Sequence, residues 1–226
     1  GERMMKQTLV IGSRLVSVFS PDGCSDCPIV YTFLTEDKVQ PLANSLGEAK
    51  VILAVIDQID WNDELSPWPA PAAFRTEADF AGGADTFLEE LTGIIVPAVE
   101  KSLGFVPRFR VLAGYSLAGL FAVYALYRTD VFNRAASISG SLWYDGFLEF
   151  MKDNRPLQIP EQVYFSLGDR ERITKNPRLA KVEECTFEAE RLLQSSGIKT
   201  IFELNPGSHF ADITERITRG IKWIIE

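Results

Sequence analysis

Short apolar runs alternate along this chain with stretches whose apolar residues recur every three or four positions. VILAVI (51–56) and IVYTFL (29–34) are almost uninterrupted apolar runs. Strands covered on both faces look like this, as in a parallel sheet held between layers of helices. The pattern predicts strands near 6–11, 13–20, 28–35, 50–56, 110–114, 134–138, 161–167 and 199–204. The first two read as an antiparallel hairpin turning at Gly12-Ser13. Helical spacing is clearest over 177–196, where Leu179, Val182, Thr186, Ala189 and Leu193 form one stripe. Asn176 can cap this helix, Pro177 suits its first turn and Gly197 ends it. Over 84–103 the stripe is Leu88, Leu91, Ile95 and Val99, with a kink expected at the internal Pro97. The tail 210–226 places Ile213, Ile217 and Ile224 among charged residues, as a helix docking on the sheet would. Strand–helix alternation of this kind predicts an α/β fold with right-handed crossovers. No repeat, low-complexity tract or linker divides the chain, so 1–226 reads as one domain, with 1–5 expected to be disordered or tag-derived.

One stretch has no period. Residues 57–83, DQIDWNDELSPWPAPAAFRTEADFAGG, carry three prolines and end in Gly-Gly, which marks a long loop. Loops of that length in a compact domain are usually functional or disordered, and Trp61, Trp68, Phe74 and Phe80 argue for order. Following a central strand, the loop is expected over the carboxyl end of the sheet, where open α/β sheets bind ligands. Its aromatic residues either line a pocket there or plug the core.

Composition narrows the partners. With 226 residues, 46% hydrophobic and 24% charged, the chain can bury a sizeable core. A net charge of −8 disfavours both a nucleic acid and an anionic membrane surface. No apolar run reaches the ~18 residues of a membrane span, and GERMMKQTLVIG lacks the layout of a signal peptide. A cytoplasmic location is expected. Of the three cysteines, Cys24 and Cys27 sit in PDGCSDCP. A zinc site would need further ligands that the chain does not offer in a recognisable spacing. A redox motif should open a helix, whereas Pro28 leads into a strand. A local disulfide or two free thiols remain, and Cys185 reads as core.

The candidate chemistry lies at Gly114-Tyr115-Ser116-Leu117-Ala118-Gly119. This matches the nucleophile elbow G-x-S-x-G, with alanine at the last position of the strict pattern. A serine held on a strained strand-to-helix turn projects its Oγ outward, and small neighbours make room for the turn. The Leu117 N–H would then stand at a helix N-terminus and face a developing oxyanion. A serine hydroxyl needs a base, and the chain has one histidine, His209, in NPGSHF after the last expected strand. The orienting acid should precede it in VYFSLGDRER, where Asp169 and Glu171 both follow a strand end. Glu171 is preferred because the turn after Gly168 should carry it back toward His209; Asp169 is the rival. A second oxyanion donor is expected from the backbone of Thr35 or Glu36 in TEDK, which lacks the HGGG pattern of many lipases. Tyr115, Trp61, Trp68, Trp143 and Tyr144 are candidate substrate contacts.

AGYSLAGLFAVYAL, SISGSLWYDGF (137–147), YFSLGDRE (164–171) and GSHF together resemble the α/β-hydrolase superfamily. More narrowly, they are similar to the esterase branch that includes esterase D and enterochelin-type siderophore esterases. Ser139, Ser141 and Trp143 match the S-x-S-x-W segment of the siderophore esterases. The resemblance implies an α/β-hydrolase fold: a mostly parallel, twisted sheet of about eight strands with helices on both faces and no large lid domain. It implies hydrolysis of a small-molecule carboxylic ester through an acyl-serine, without a metal or organic cofactor. The chain departs from the pattern at Ala118, and no basic cluster for an anionic iron chelate is visible along it. A thioesterase, peptidase or acyltransferase using the same residues is one alternative; a silent binding protein on the same fold is another.

Overall fold

The apolar runs become one eight-stranded sheet in the computed structural model of the protein, which describes residues 4–226. The strands are β1 (Met5–Ile11), β2 (Arg14–Ser20), β3 (Ile29–Phe33), β4 (Ile52–Asp57), β5 (Arg110–Tyr115), β6 (Arg134–Ile138), β7 (Gln162–Gly168) and β8 (Thr200–Asn205). Their spatial order is β1-β2-β4-β3-β5-β6-β7-β8. β1 pairs antiparallel with β2 and β2 with β4; every later pairing is parallel. The hairpin turns at Gly12, whose φ of +61° suits glycine. Of the five leading residues expected to be disordered or tag-derived, 1–3 lie outside the described residues and Met5 opens β1.

The longer helices are α1 (Glu36–Leu46), α2 (84–101), α3 (Leu117–Arg128), α4 (Phe147–Asp153), α5 (Val182–Ser195) and α6 (Ile213–Ile224). One sheet face carries Tyr31, Phe33, Leu112 and Phe165 against α2, α3, α4 and α5. The other carries Val30, Leu53, Val111 and Tyr164 against α1 and α6. Strands buried on both faces thus account for the continuous apolar runs. α3 is almost wholly buried, which is why LAGLFAVYAL shows little amphipathic contrast.

Around Pro97, where the sequence predicts a kink, α2 departs from regular α-helical hydrogen bonding. Residues Leu91–Ile95 widen into a π-helical turn, and Pro97 starts the segment that follows. A wider turn moves the carbonyl that a proline ring would strike in a regular helix. The expected helix 177–196 begins with a 3₁₀ turn, Leu179–Lys181. Asn176 caps it through Oδ1, which accepts from the N–H groups of Arg178 and Leu179 at 3.0 and 3.4 Å. α1 replaces what reads as a plain loop after β3. Cys24 and Cys27 are joined as a disulfide, and Cys185 is free and buried. Among the described residues, no helix is long and apolar enough to cross a membrane.

Sheet order reverses at β3, because β4 lies on one side of it and β5 on the other. Ligands of open α/β sheets bind beyond the strand ends at such a point. The 58–83 segment stands over these ends, and it is not the plain loop the sequence predicts: it holds a short helix, Trp61–Glu64, and an antiparallel ladder of Pro69–Ala70 with Phe80–Ala81. No separate lid domain stands there among the described residues. The segment's order comes from distant arginines. Arg14 of β2 is buried and donates to Glu64 (2.6 and 2.7 Å), Glu90 (2.9 and 3.0 Å) and the carbonyl of Gln58 (2.7 Å). Arg178 donates to the carbonyls of Ala72 and Pro71 at 2.8 and 2.9 Å, which pins the tip of the segment.

Candidate active site

Ser116 sits between β5 and α3 with φ +62° and ψ −124°, a conformation an L-residue holds only when its surroundings enforce it. The enforcement is visible in the small residues. A Cβ added at Gly114 would lie 2.1 Å from the carbonyl oxygen of Ala118, and one at Gly119 would lie 2.8 Å from Cα of Gly140. The Ala118 methyl would also lie 2.8 Å from a Cβ at 114, so glycine at 114 leaves room for alanine at 118. The Ser116 N–H donates to the Ile138 carbonyl at 3.0 Å, and its carbonyl accepts from Ser141 N–H at 3.1 Å. The turn is therefore tied to the segment that leaves β6.

Three distant residues meet here. His209 Nε2 lies 3.0 Å from Ser116 Oγ, and His209 Nδ1 lies 2.6 Å from Glu171 Oε1. The acid loop after β7 and the histidine loop after β8 touch through a glycine: a Cβ at Gly168 would meet the Gly207 carbonyl oxygen at 2.4 Å. A tight turn, closed by Glu171 N–H to Gly168 O at 3.2 Å, returns Glu171 toward the imidazole. Asp169 turns elsewhere. Its Oδ1 accepts from Gly207 N–H at 3.0 Å, so it braces the histidine loop.

Burial of Glu171 opposes ionisation, but hydrogen bonds from His209, from the Ser139 hydroxyl (2.6 Å) and from Gly168 N–H (2.6 Å) outweigh it. The carboxyl is held below its usual range. Tyr115 stacks on the imidazole with centroids 4.9 Å apart, and its hydroxyl donates to the His209 carbonyl at 2.6 Å. Burial first, and then the charge of Glu171, push this phenol above its usual range, so it stays a neutral donor.

Ser116 opens into a cleft of about 640 Å³, a size that suits a small organic ligand. Tyr115, Trp61 and Trp143 line it as the sequence suggests, and Leu117 and Thr35 stand on its wall. Leu117 begins α3, where a backbone N–H has no intrahelical acceptor. Glu36 does not line the cleft; it opens α1 and is exposed. Trp68 and Tyr144 are also outside it. Trp68 Nε1 donates to the Asp145 carbonyl at 2.7 Å and the indole stacks on Phe147. Tyr144 is buried, and its hydroxyl donates to the Trp68 carbonyl. Burial pushes that phenol up to about 12. These two aromatics plug the base of the 58–83 segment, while Trp61, Phe74 and Phe80 from the same segment face the cleft.

Sequence reading misses several residues. Ser139 has φ +48° and places its hydroxyl on Glu171, although SISGSLW drew attention only for its match to a pattern. Arg216 reaches the same carboxylate from α6, where it reads as one of several solvated charges. Lys38 and Arg170 lie 132 positions apart but line one cleft, together with Glu77. Among the described residues no cluster of His, Cys, Asp or Glu is arranged to hold a metal ion.

The family model described as Putative esterase matches residues 17–201. An uncharacterised protein of Bacillus subtilis (strain 168), YbbA, is 24% identical over 200 residues, covering 82% of this chain and 80% of its own. An IroE-like serine hydrolase from Shewanella oneidensis superposes with a TM-score of 0.82 at 19% identity, over 97% of this chain and 79% of that one. The siderophore hydrolase EstB from Aspergillus nidulans gives 0.72 at 19% identity, over 98% and 95%. At these identities the two structures speak for the fold.

Proposed function

This chain belongs to the Putative esterase family, and from that premise we propose that it is a serine esterase working through an acyl-serine intermediate. The observation that carries the reading is the relay from Ser116 Oγ to His209 Nε2 (3.0 Å) and from Nδ1 to Glu171 (2.6 Å) at the wall of an open cleft. In this reading His209 takes the Ser116 proton as Oγ attacks the ester carbonyl. Glu171 fixes the tautomer with its proton on Nδ1 and stabilises the imidazolium. The Leu117 N–H, with a backbone N–H near Thr35, receives the oxyanion. His209 then protonates the departing alcohol, and a water activated by the same nitrogen releases the acid.

A bulky ester suits the cleft better than a minimal one. Its walls are mainly apolar and aromatic, with Lys38 and Arg170 as cations and Glu77 as a carboxylate outside the relay. An ester whose aromatic part carries anionic oxygens would use both features. The fold neighbour called a siderophore hydrolase supports testing such esters.

The test is labelling with a fluorophosphonate probe, followed by turnover of p-nitrophenyl acetate, p-nitrophenyl benzoate and a catecholate ester. Wild type labels and turns over; Ser116→Ala does neither. Absence of labelling in folded wild type would leave the silent-scaffold alternative. Thioester or amide turnover well above ester turnover would replace esterase by one of the other acyl-transfer readings.

A further inference from the structure

α6 carries an apolar stripe of Ile213, Ile217, Ile221 and Ile224 against the sheet, the last three of them buried. Arg216 falls within this stripe and is 3% exposed. Burying a guanidinium is costly, and pairing offsets the cost only when its donors are satisfied. An apolar side chain would fill such a position more cheaply. The partners of Arg216 are specific. Nε donates to Asn205 Oδ1 at 3.3 Å and one terminal nitrogen to the Ala211 carbonyl at 3.4 Å. The other terminal nitrogen contacts Ser139 Oγ and lies 3.5 Å from Glu171 Oε2. Ser139 in turn donates to Oε2, as does Gly168 N–H, while Oε1 is left for His209. One carboxylate oxygen is thus fully engaged behind the site and the other is aimed at the imidazole.

We propose that Arg216 is a positioning residue that orients Glu171 and sets the pH below which the His209 imidazole stops acting as a base. The proposal rests on the triad reading above. With Arg216 present, the pair Glu171–Arg216 is neutral, so an imidazolium gains less from Glu171 than it would from a lone carboxylate. Neutralising position 216 leaves Glu171 alone beside the imidazole, which then keeps its proton to higher pH. Other groups face the pair from every side. Tyr115 of β5 is a neutral phenol on the imidazole, and Ser139 follows β6. Asp169 is bonded to Gly207 N–H. Arg170 is exposed, Lys38 of α1 is partly exposed, and Glu77 lies across the cleft. Of these cations only Arg216 is buried and reaches the carboxylate, so solvent screens the other two far more.

The chain contains a single histidine, so its imidazole proton resonances can be followed by NMR without assignment mutants. The experiment measures that titration, and the pH dependence of kcat/KM for p-nitrophenyl acetate, in wild type, R216K, R216Q and R216M. The neutral variants should raise the imidazole midpoint, and with it the acid limb of the rate profile, by about one pH unit, the size expected from a neighbouring charge. KM should change by less than about threefold, because Arg216 does not reach the cleft. R216K keeps the charge and should hold the midpoint near the wild-type value. A neutral variant that titrates as wild type and is uniformly slower would reduce Arg216 to packing and overturn the proposal. A midpoint in R216K as far displaced as the neutral variants should show would do the same, and this arm stands if those variants do not fold. Failure of the triad reading is separate: wild type would then escape the fluorophosphonate probe whatever the titrations give.

Discussion

Replacing Glu171 by Gln tests the acid with almost no change of shape. The present carboxylate accepts at Oε2 from Ser139 and Gly168 and at Oε1 from His209. A glutamine will keep its carbonyl oxygen in the Oε2 place, where two donors and Arg216 converge. Its NH₂ then faces His209 Nδ1, 2.6 Å from where Oε1 now stands. Two N–H groups cannot point at each other, so Nδ1 must offer its lone pair and the proton moves to Nε2. That proton faces Ser116 Oγ, and the imidazole can no longer accept the serine proton. A wrong tautomer of this kind costs about 10⁴-fold in kcat in the well-studied serine protease triad, and about 10³–10⁴-fold is expected here. Stability falls as well, because the buried Arg216 loses its anionic partner. Removing one member of a buried pair costs about 3–5 kcal/mol, and the retained amide oxygen places this case near about 3 kcal/mol. For a chain of this size that lowers Tm by about 6–12 °C, so rates should be measured well below the transition. Steady-state hydrolysis of a p-nitrophenyl ester and a thermal melt give both numbers. Asp169→Asn is the control: its amide oxygen can still accept from Gly207 N–H, and a loss within about threefold is expected for one exposed hydrogen bond. An E171Q enzyme within about tenfold of wild type, or an Asp169→Asn enzyme as impaired as E171Q should be, would refute the assignment.

Two further outcomes follow from local packing. Gly114→Ala should damage the elbow, because the new methyl would lie 2.1 and 2.2 Å from the carbonyl oxygen and carbon of Ala118, which no rotamer can relieve. Opening the turn by about 1 Å should cut phosphonate labelling by about 10²-fold and destabilise by about 3 kcal/mol; a wild-type labelling rate would contradict it. Thr32→Val should stabilise by about 1 kcal/mol, because the Thr32 hydroxyl is buried without a partner among the described residues and valine keeps the shape. A rise in Tm of about 2–4 °C with unchanged activity is the expected reading, and a clear fall in Tm would show that the hydroxyl is satisfied.

The amino-acid sequence by itself determined whatever depends on neighbours along the chain. Apolar runs such as VILAVI specify strands because both faces are covered, and this order of strands and helices admits few right-handed topologies. The elbow is legible for the same reason: Gly114, Ala118 and Gly119 are small because the backbone around Ser116 is crowded within six residues. A single histidine after the last strand left one candidate base, whereas Asp169 and Glu171 both stayed open as its acid. Only the tertiary structure decided which side chains meet across long separations. Trp61 and Trp68 are the same residue type in one aperiodic segment, yet Trp61 faces the cleft and Trp68 plugs the core. Arg14 and Arg178, far away along the chain, bond Glu64 and the Ala72 carbonyl of that segment. α1 was hidden because its exposed face is polar and only Leu42, Ala43 and Leu46 are buried. Arg216 looked like a solvated charge until the α6 stripe turned it toward Glu171. Lys38 and Arg170 form no run in the sequence, yet converge on one cleft. Backbone sterics act between adjacent residues and are written locally. Pairing of charges and burial of rings depend on which surfaces the folded sheet brings together, and that information is spread over the whole chain.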